Sequence, residues 1–514
     1  MSKEVIKHIY SNGLFLTADG YSVLQQIPEE RQLEVINHAI KICKSAGILF
    51  IDSFIIGNII KEVAPELVLP PAKEKIKKKI EEEGPLVGKE ISPEIREEKA
   101  LPEVTPPKPR IVKIENKVVE ATVHPLDGYI QYFRSRYSKI NQLFSKQQIS
   151  PIPIAQLQRL PAGEVATIVG LIREKRERKS GIFLEVEDLS GSETLFIPES
   201  REPRVDQMVS LLIEDIVCAF TVKKGNINVV TEISFPEIPF RKVSGAEEEI
   251  YAILTSDFHF GSKSQLHELL NKFLAWLRGE IGTSEQRKIA KKTRYLLIAG
   301  DLVEGIGVYP GQLQDLEIVN VREQYECAAT FLKQIPDYID IIVSPGNHDA
   351  TQQALPQPFP PEKFSGPLKE LKNIHFASNP CVVDLHGVKI LMFHGQSIED
   401  IAQKVPGIQI TTPIKALEFM VRIRHLAPVY GGKTPIAPQK SDPLVIDIVP
   451  HVLHVGHTHI YDVGKYRNIL LVSSGAWQEQ TEYQIKQGIV PTPGIVAALN
   501  LKTLEIVNID FNLM

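Results

Sequence analysis

The sequence predicts a multidomain protein with an α/β domain at 241–514, a helix and a small all-β barrel at 125–240, and a small helical domain at 1–63. Three observations predict this. Apolar runs that end in metal-binding side chains recur through 250–477, as in an α/β domain. Short strand-like runs separated by turn residues precede them. A stretch rich in proline and charge, 64–124, follows the N-terminal part. A chain of 514 residues is long enough for about three domains.

The N-terminal unit shows helical spacing. Leu33, Ile36 and Ile40 recur at the spacing of one helix face, and Asp52-Ser53 is a suitable cap for a second helix reaching Glu62. The unit is interpreted as a docking module for a partner, for which a sliding clamp is a candidate. The alternative is an accessory that only packs against the rest of the protein.

Residues 64–124 predict a disordered linker. Prolines recur through it, and three glutamates lie just beyond the cluster Lys77-Lys78-Lys79. Such a segment buries too little apolar surface to offset the entropy of ordering it. The lysines could touch nucleic acid, but a solvated charged stretch is the simpler interpretation.

Residues 125–146 predict one amphipathic helix in which Tyr129, Phe133 and Tyr137 form a buried stripe rather than a surface for stacking bases. The following barrel is predicted from five short strands divided by turn residues, and this number fits an oligonucleotide-binding (OB) fold. The strands are expected at 165–172, 182–187, 194–197, 208–213 and 227–230.

A basic hairpin connects the first two of these strands. Residues 173–179 hold five basic and two acidic side chains, and Arg173, Lys175 and Arg176 are the candidates for contact with a nucleic-acid backbone. A solvated hairpin tip is the commoner explanation of such a run. Barrels of this kind also dock proteins, so the fold alone does not decide the role.

The α/β domain is predicted from five apolar runs, each followed at once by a polar cluster. Runs of four to eight aliphatic residues bounded by Gly or Pro are typical of buried strands, and such strands present ligand groups at their carboxyl ends. The runs are 250–255, 295–299, 339–344, 388–393 and 451–455. Helices are expected at 264–280 and 320–334, and the loop 303–311 is expected to shape a groove beside Asp301.

The polar clusters supply a complete set of metal ligands. Carboxylate, imidazole and amide groups without thiolates suit Mn, Zn or Fe(II). A two-metal site with ions about 3.5–4 Å apart needs one bridging carboxylate, for which Asp301 is the candidate. The remaining predicted ligands are Asp257, His259 and His459 for one ion, and Asn347, His394 and His457 for the other.

Two residues of the third cluster are left for catalysis. His348 is predicted to protonate the leaving oxygen of a phosphate ester, and Asp349 to orient its imidazole. A single Gly-Asp pair or a strand-end histidine is more often a turn or core residue. Five such clusters at strand ends favour the metal centre instead.

The whole-chain composition is that of a soluble globular protein, with 43% hydrophobic and 24% charged residues. No run reaches the roughly eighteen uncharged apolar residues of a spanning helix, and the N terminus lacks the layout of a signal peptide. A cytoplasmic location is therefore expected. The net charge of −5 weakly disfavours autonomous DNA affinity. The scattered Cys43, Cys218, Cys327 and Cys381 are expected to be reduced and buried.

The clusters resemble the signature of the calcineurin-like metallophosphoesterase superfamily: Asp-x-His, Gly-Asp, Gly-Asn-His-Asp, His and Gly-His-x-His in this order. The resemblance implies two stacked β-sheets flanked by helices, and it implies the same roles for the residues named above.

A narrower resemblance lies in the segments 424–438, 442–446, 456–461, 474–481 and 491–494. They are similar to the small subunits of archaeal family-D DNA polymerases, as is the order of helices, linker, barrel and phosphoesterase. The likeness covers about 125–514. This family resembles the B subunits of eukaryotic replicative polymerases, in which the metal ligands have decayed, whereas here they are intact.

The resemblance implies a manganese-dependent 3′→5′ exonuclease that proofreads for a large polymerising subunit, with a single-stranded or mismatched 3′ end as its substrate. One alternative is a mainly structural B-type subunit with weak or no hydrolysis. A phosphoprotein phosphatase or nucleotidase is the other alternative, and it would leave the barrel and the segment 424–477 unexplained.

Overall fold

The computed structural model describes residues 27–46, 112–117, 125–199, 203–240 and 243–514, together with separate positions within the first 59 residues. The chain divides into two compact units, Met1–Arg110 and Ile111–Met514. Most of the predicted linker lies outside the described residues, and so does most of the predicted second N-terminal helix.

The first unit contains one long helix, α1 (Glu29–Ala46), and a two-residue parallel pairing of β1 (Phe15–Leu16) with β2 (Phe50–Ile51). The helix buries Val35, Ile36, Ala39 and Ile40. Leu33, which we predicted on the apolar face, is 46% exposed. The buried face is therefore centred one residue away from the predicted stripe.

The linker prediction is wrong at its C-terminal end. Residues Val112–Asn116 form strand β3, which pairs antiparallel with a strand of the α/β domain, Cys381–Leu385. A short run in which apolar and charged residues alternate is typical of an edge strand. The surrounding prolines and charges concealed this pattern in the sequence.

The helix predicted at 125–146 is confirmed as α2 (Pro125–Lys146). Its fully buried side chains include Tyr132, Ile140 and Phe144, whereas Phe133 and Tyr137 are only partly buried. Ile140 and Phe144 pack against Val169 of the barrel, so this helix is fixed to the barrel wall.

The barrel has five strands, as predicted, and it closes in the strand order β4-β5-β6-β8-β7. A one-turn helix, α3 (Ile154–Leu157), precedes it and contributes to its core. The strands are β4 (Val165–Arg178), β5 (Gly181–Glu187), β6 (Ser192–Pro198), β7 (Val217–Lys223) and β8 (Asn228–Ser234).

The fourth strand of the barrel was predicted in the wrong place. Residues 208–213 belong to the end of helix α4 (Pro203–Ser210) and the turn after it, and the strand is β7. Leu212 and Ile213 are buried in the barrel core. A short apolar run has the same pattern in a helix end as in a strand, which explains the error.

The α/β domain contains two six-stranded sheets in the orders β12-β11-β10-β9-β18-β19 and β16-β17-β15-β14-β13-β3. Alternate residues of both sheets, such as Leu254, Leu297, Val383 and Ile390, form one common core. This is the two-sheet arrangement that the resemblance implied. The first sheet consists of β9 (Tyr251–Thr255), β10 (Thr293–Ala299), β11 (Asp340–Ser344), β12 (Ile374–Phe376), β18 (Ile495–Asn500) and β19 (Ile506–Asp510).

The second sheet is β3 with β13 (Cys381–Leu385), β14 (Val388–Met392), β15 (Val452–Val455), β16 (Asp462–Tyr466) and β17 (Ile469–Ser473). Strands β9 to β12 are mutually parallel, as are β14, β15 and β17. All five strands predicted for this domain are confirmed, and their carboxyl ends carry the polar clusters.

Helices cover the outer faces of both sheets. Phe273 and Tyr325 of α5 and α7 pack on the first sheet, and Ile401 and Met420 of α9 and α10 pack on the second. The helices of this domain are α5 (His267–Leu277), α6 (Ser284–Lys292), α7 (Val321–Leu332), α8 (Glu362–Ser365), α9 (Ile398–Lys404), α10 (Pro413–Ile423) and α11 (Glu482–Gln487). The core around α10 continues into the barrel.

Among the described residues, no helix combines the length and the apolar character needed to cross a membrane. Cys218, Cys327 and Cys381 are free thiols, and Cys218 and Cys381 are fully buried. Burial raises the pKa of both buried thiols. The side chain of Cys43 lies outside the part that the structure describes.

Candidate metal centre

The predicted ligands follow strand ends where the backbone takes a left-handed conformation. The non-glycine residues with positive φ include Asp257, His259, Asp301, His457 and His459. Such conformations cost about 1–3 kcal/mol each, and they persist only where the surrounding structure fixes them. Two backbone hydrogen bonds do so here: Asp257 N–H donates to Gly300 O (3.0 Å) and His259 N–H to Asp301 O (3.1 Å). This concentration of strain at strand ends indicates a functional site.

One group of ligands comes together around His259 and His459. The Nε2 atoms of these two histidines lie 3.1 Å apart, and His459 Nε2 lies 3.5 Å from Asp257 Oδ1. Three potential ligand atoms, one from each residue, lie within 4.8 Å of one another. The three side chains are fully buried or nearly so. They form the first predicted ligand set, which we call site A.

The second group lies around Asn347. Its Oδ1 atom is 2.9 Å from His394 Nε2 and 3.0 Å from His457 Nδ1. Asp301 Oδ2 lies 3.2 Å from His394 Nε2. These residues form the second predicted ligand set, which we call site B.

Asp301 connects the two sites. Its Oδ2 atom is 3.2 Å from His394 of site B and 3.9 Å from His259 of site A. Its other oxygen, Oδ1, accepts a hydrogen bond from the His348 N–H at 2.8 Å. The carboxylate is thus held by the backbone on one side and faces both ligand groups on the other, as a bridging ligand must.

Each predicted ligand histidine has a polar neighbour at its second ring nitrogen. His259 Nδ1 lies 2.8 Å from Glu304 Oε2, and His394 Nδ1 lies 2.9 Å from the Ala299 carbonyl. His457 Nε2 lies 3.4 Å from Glu399 Oε1, and His459 Nδ1 lies 2.8 Å from Gln484 Nε2. Metal-binding histidines usually donate their second ring N–H to an oxygen, and His259, His394 and His457 face such an oxygen, whereas the Gln484 amide nitrogen can only donate to His459 Nδ1.

Glu304, Glu399 and Gln484 were therefore missed as site residues. Glu304 lies within the loop 303–311, which the sequence placed beside Asp301, and its spacing of three residues from Asp301 was the only local signal. Glu399 and Gln484 lie on helices α9 and α11, where nothing in the sequence distinguishes them from surface residues. Their positions depend on how those helices pack against the strand ends.

The electrostatics of the centre fit a pair of divalent cations. Burial alone would raise the pKa of Asp301, but His394 and His348 hold it well below its ordinary value. Burial would lower the pKa of His394, whereas Asp301 raises it to about 9. The site contains four carboxylates, which could be balanced by two divalent ions: Asp257, Asp301, Glu304 and Glu399. The convergence of imidazole nitrogens on carboxylate and amide oxygens matches the predicted donor set.

His348 lines the cleft and is partly exposed. Its Nδ1 atom lies 2.8 Å from the Glu304 carbonyl oxygen, which can only accept, so Nδ1 carries the proton of that hydrogen bond. The Nε2 atom is then the position at which this ring can take up and release a proton.

The predicted role of Asp349 is wrong. Its carboxylate accepts hydrogen bonds from the Gly346 N–H (2.8 Å), the Leu302 N–H (3.3 Å) and the Tyr325 hydroxyl (2.9 Å), and not from the His348 ring. Asp349 is buried and ties the loops after β10 and β11 together. Its sequence position next to His348 suggested a contact that the turn does not allow. Glu304 orients the imidazole instead.

A cleft of about 220 Å³ lies over the two sites. Apolar and aromatic side chains complete its wall opposite the ligands: Val308, Tyr309, Ile410 and Ile489. The Tyr309 ring centroid lies 6.2 Å from that of His348. The predicted loop 303–311 thus does contribute to the groove.

The basic residues predicted on the barrel do not line this cleft. Arg173 pairs with Glu185 and Glu187, and Arg176 pairs with Glu174 and Glu185. Lys175 pairs with Glu177. Acidic neighbours compensate much of their charge, and their contact with nucleic acid stays a prediction.

Comparisons with known proteins agree on one group. A family model that describes the B subunits of DNA polymerases alpha and epsilon matches residues 252–462. The DNA polymerase II small subunit of Pyrococcus furiosus is 40% identical over 394 residues, which are 75% of this chain and 64% of that protein. The match therefore spans a little under two thirds of that relative. The Archaeoglobus fulgidus protein of the same name is 40% identical over 72% of this chain and 75% of its own length.

Solved structures resemble the chain only distantly. A conserved protein from Streptococcus pneumoniae described as a predicted phosphoesterase is 12% identical, with a TM-score of 0.24 over 52% of this chain and 92% of that one. This similarity is too weak to carry an argument.

Proposed function

The chain belongs to the family of DNA polymerase II small subunits, and from this membership we propose that it is a metal-dependent 3′→5′ exonuclease that proofreads for a large polymerase subunit. The observation that carries the proposal is the position of Asp301 Oδ2 between His394 and His259, within a complete set of seven ligands. A subunit with only a structural role would not need these strained, buried and charged residues.

The residues of the centre would hold two divalent ions. Asp257, His259 and His459 would bind one ion at site A, and Asn347, His394 and His457 the other at site B, with Asp301 between them. We propose manganese, with zinc and iron(II) as alternatives that suit the same ligands. Two such ions, when bound, polarise a phosphodiester and lower the pKa of water.

The chain itself supplies a proton donor. His348 Nδ1 is held by the Glu304 carbonyl, so its Nε2 atom can carry a proton into the cleft. We assign to it the protonation of the 3′ oxygen that leaves when the terminal nucleotide is released. The Glu304 carboxylate also contacts His259, so one residue positions a predicted ligand with its side chain and the proton donor with its backbone carbonyl.

The recessed cleft supports a single-stranded or mismatched 3′ end as the substrate. An unpaired terminus reaches a recessed site at less cost than a stacked one. The closed five-stranded barrel is proposed to be an OB-fold that binds DNA or docks the large subunit together with the loops around 430–439. Tyr430 in those loops is 43% exposed and contacts Tyr129 and Phe133.

The test is the degradation of a 5′-labelled primer with a 3′ mismatch in the presence of Mn²⁺, with and without the large subunit. Wild type should shorten the primer from its 3′ end, and His348→Ala should be about 10²–10⁴-fold slower. His375→Ala is the matched control, because His375 lies on β12 and does not line the cleft. An inert wild type, even with its partner present, would contradict the proposal.

A mainly structural role is the second candidate. The match to the model of the polymerase alpha/epsilon B subunits favours it. Asp301→Asn separates the two roles. A nuclease would lose its activity through this change, whereas a structural subunit would have no activity to lose. Assembly with the large subunit should be preserved in either case.

A further inference from the structure

The contacts around His457 extend beyond the ligand set. One ring nitrogen, Nδ1, faces Asn347 in site B, and the other, Nε2, lies 3.4 Å from Glu399 Oε1. Glu399 lines the cleft, and its side chain is 18% exposed. Its second oxygen, Oε2, accepts a hydrogen bond from Lys433 Nζ at 2.8 Å. The carboxylate therefore stands between a ligand of site B and a lysine.

A buried clamp fixes the lysine in this place. The Asp400 carboxylate accepts hydrogen bonds from the backbone N–H groups of Lys433 (2.6 Å) and Thr434 (2.9 Å). Gly432 packs so closely on Asp400 that a β-carbon would collide with the carboxylate. Because Glu399 and Asp400 are adjacent at the start of α9, the loop bearing Lys433 and the partner of His457 are positioned by one helical turn.

Lys433 also reaches solvent. Its side chain is 52% exposed, while Glu399, 2.8 Å away, forms part of the cleft wall. An ammonium group at this place can exchange its carboxylate partner for a phosphate of a strand that enters the cleft.

We propose that Glu399 and Lys433 form a positioning pair that couples the binding of a phosphodiester strand to the binding of the metal ion at site B. Glu399 orients His457 toward the ion, and Lys433 attenuates the negative charge of Glu399. When a phosphate engages Lys433, the full charge of Glu399 acts on His457. Binding of the strand and of the ion then strengthen each other, since such coupling is reciprocal. The inference rests on the proposed two-metal nuclease, and it makes the ion at site B the substrate-sensitive one.

The test measures Mn²⁺ binding to the full chain by titration calorimetry, alone and with a phosphorothioate-linked thymidine oligonucleotide that resists hydrolysis. Glu399→Ala should weaken one of two Mn²⁺ sites by about 10–100-fold, because it removes the partner of a ligand histidine. Glu399→Gln, which keeps an acceptor for His457 but removes the charge, should weaken the same site by less. The control is Glu326→Gln on the exposed face of α7.

The coupling is tested with Lys433→Met. In wild type the oligonucleotide should tighten Mn²⁺ binding, most strongly at one site, and in Lys433→Met this tightening should be clearly smaller than in wild type, while Mn²⁺ binding without oligonucleotide is equal to wild type or tighter. Lys404→Met is the control, since Lys404 is on the same helix as Glu399, α9, but pairs with Glu214. Thermal melting establishes that the variants are folded.

The outcomes separate this inference from the proposed function. A wild-type chain that binds no Mn²⁺ would remove the metal centre and both ideas with it. If wild type binds two ions but Glu399→Ala leaves both affinities within twofold, or Lys433→Met keeps the coupling, only the positioning pair is wrong.

Discussion

Asp301 Oδ2 lies 3.2 Å from His394 Nε2, and this short contact joins the ends of two strands that belong to different sheets. Asp301 follows β10 of the first sheet, and His394 follows β14 of the second. The centre can therefore form only where the two sheets meet, and its geometry depends on how the sheets stack.

The first prediction concerns the bridging carboxylate. Asp301→Asn removes the charge shared by both sites, so we expect loss of at least one bound Mn²⁺ and a fall in nuclease activity of about 10³-fold or more, because the metal centre contributes several kcal/mol. Metal content by atomic absorption and the primer assay check this. Retention of both ions with normal activity would show that Asp301 does not bridge.

The second prediction concerns Gly346, which packs on Asp301. A β-carbon at Gly346 would collide with the Asp301 carboxylate and approach its backbone nitrogen to 2.6 Å. We expect Gly346→Ala to displace the bridge, to lower activity by about 100-fold or more and to cost about 1–3 kcal/mol of stability, as overpacking does. Activity and urea unfolding are the measurements.

The control for Gly346→Ala is Gly191→Ala, because a β-carbon at Gly191 meets nothing within 4 Å. Equal activities of the two variants would mean that the loop after β11 can move aside without disturbing Asp301.

The sequence predicted the strands of the centre and singled out the seven residues that converge there, because both patterns follow from local chemistry. Buried strands of this domain are continuous apolar runs, and each predicted ligand lies in the polar cluster that follows such a run. Asp257 and His259, for example, follow β9. A pattern of this kind needs no knowledge of how distant segments pack.

The parts that the sequence did not reveal depend on tertiary contacts. Glu399 and Gln484 reach the centre only because α9 and α11 pack over the strand ends, and Asp349 is turned away from His348 by the loop that contains both. The strand predicted at 208–213 is wrong for a different reason: a mainly apolar run of six residues fits a helix end as well as a strand.

The third prediction concerns a buried ion pair away from the cleft. Arg136 of α2 is fully buried, and its Nε donates to Asp442 Oδ2 at 2.9 Å. Asp442→Asn would leave the guanidinium without its counter-charge, so we expect a loss of about 3–5 kcal/mol in the free energy of unfolding. Urea or guanidinium unfolding checks the value.

Asp447→Asn is the matched control for this pair. Asp447 contacts Lys117 with its carboxylate 43% exposed, and such pairs contribute about 0–1 kcal/mol. If the two variants were equally stable, Asp442 would not be needed to stabilise the buried charge.

The last prediction concerns the pH dependence of stability, to which His425 should contribute between its pKa in the unfolded chain and its lower pKa in the folded protein. Its Nε2 lies 2.8 Å from Asp442 Oδ2, and its Nδ1 accepts a hydrogen bond from the Ala427 N–H at 3.1 Å. A neutral ring satisfies both contacts. Burial, followed by the charge of Arg136, lowers the pKa of His425 from 6.5 to about 4. Between these values the unfolded chain binds a proton that the folded chain does not, so stability falls as the pH falls from 6.5 to 4. The loss should be about 3 kcal/mol.

His425→Gln can donate to Asp442 and accept from Ala427 without titrating, so its unfolding free energy should decline less steeply over this interval. The exposed His267→Gln should follow wild type. Parallel curves for wild type and His425→Gln would show that the ring does not stay neutral in the folded protein.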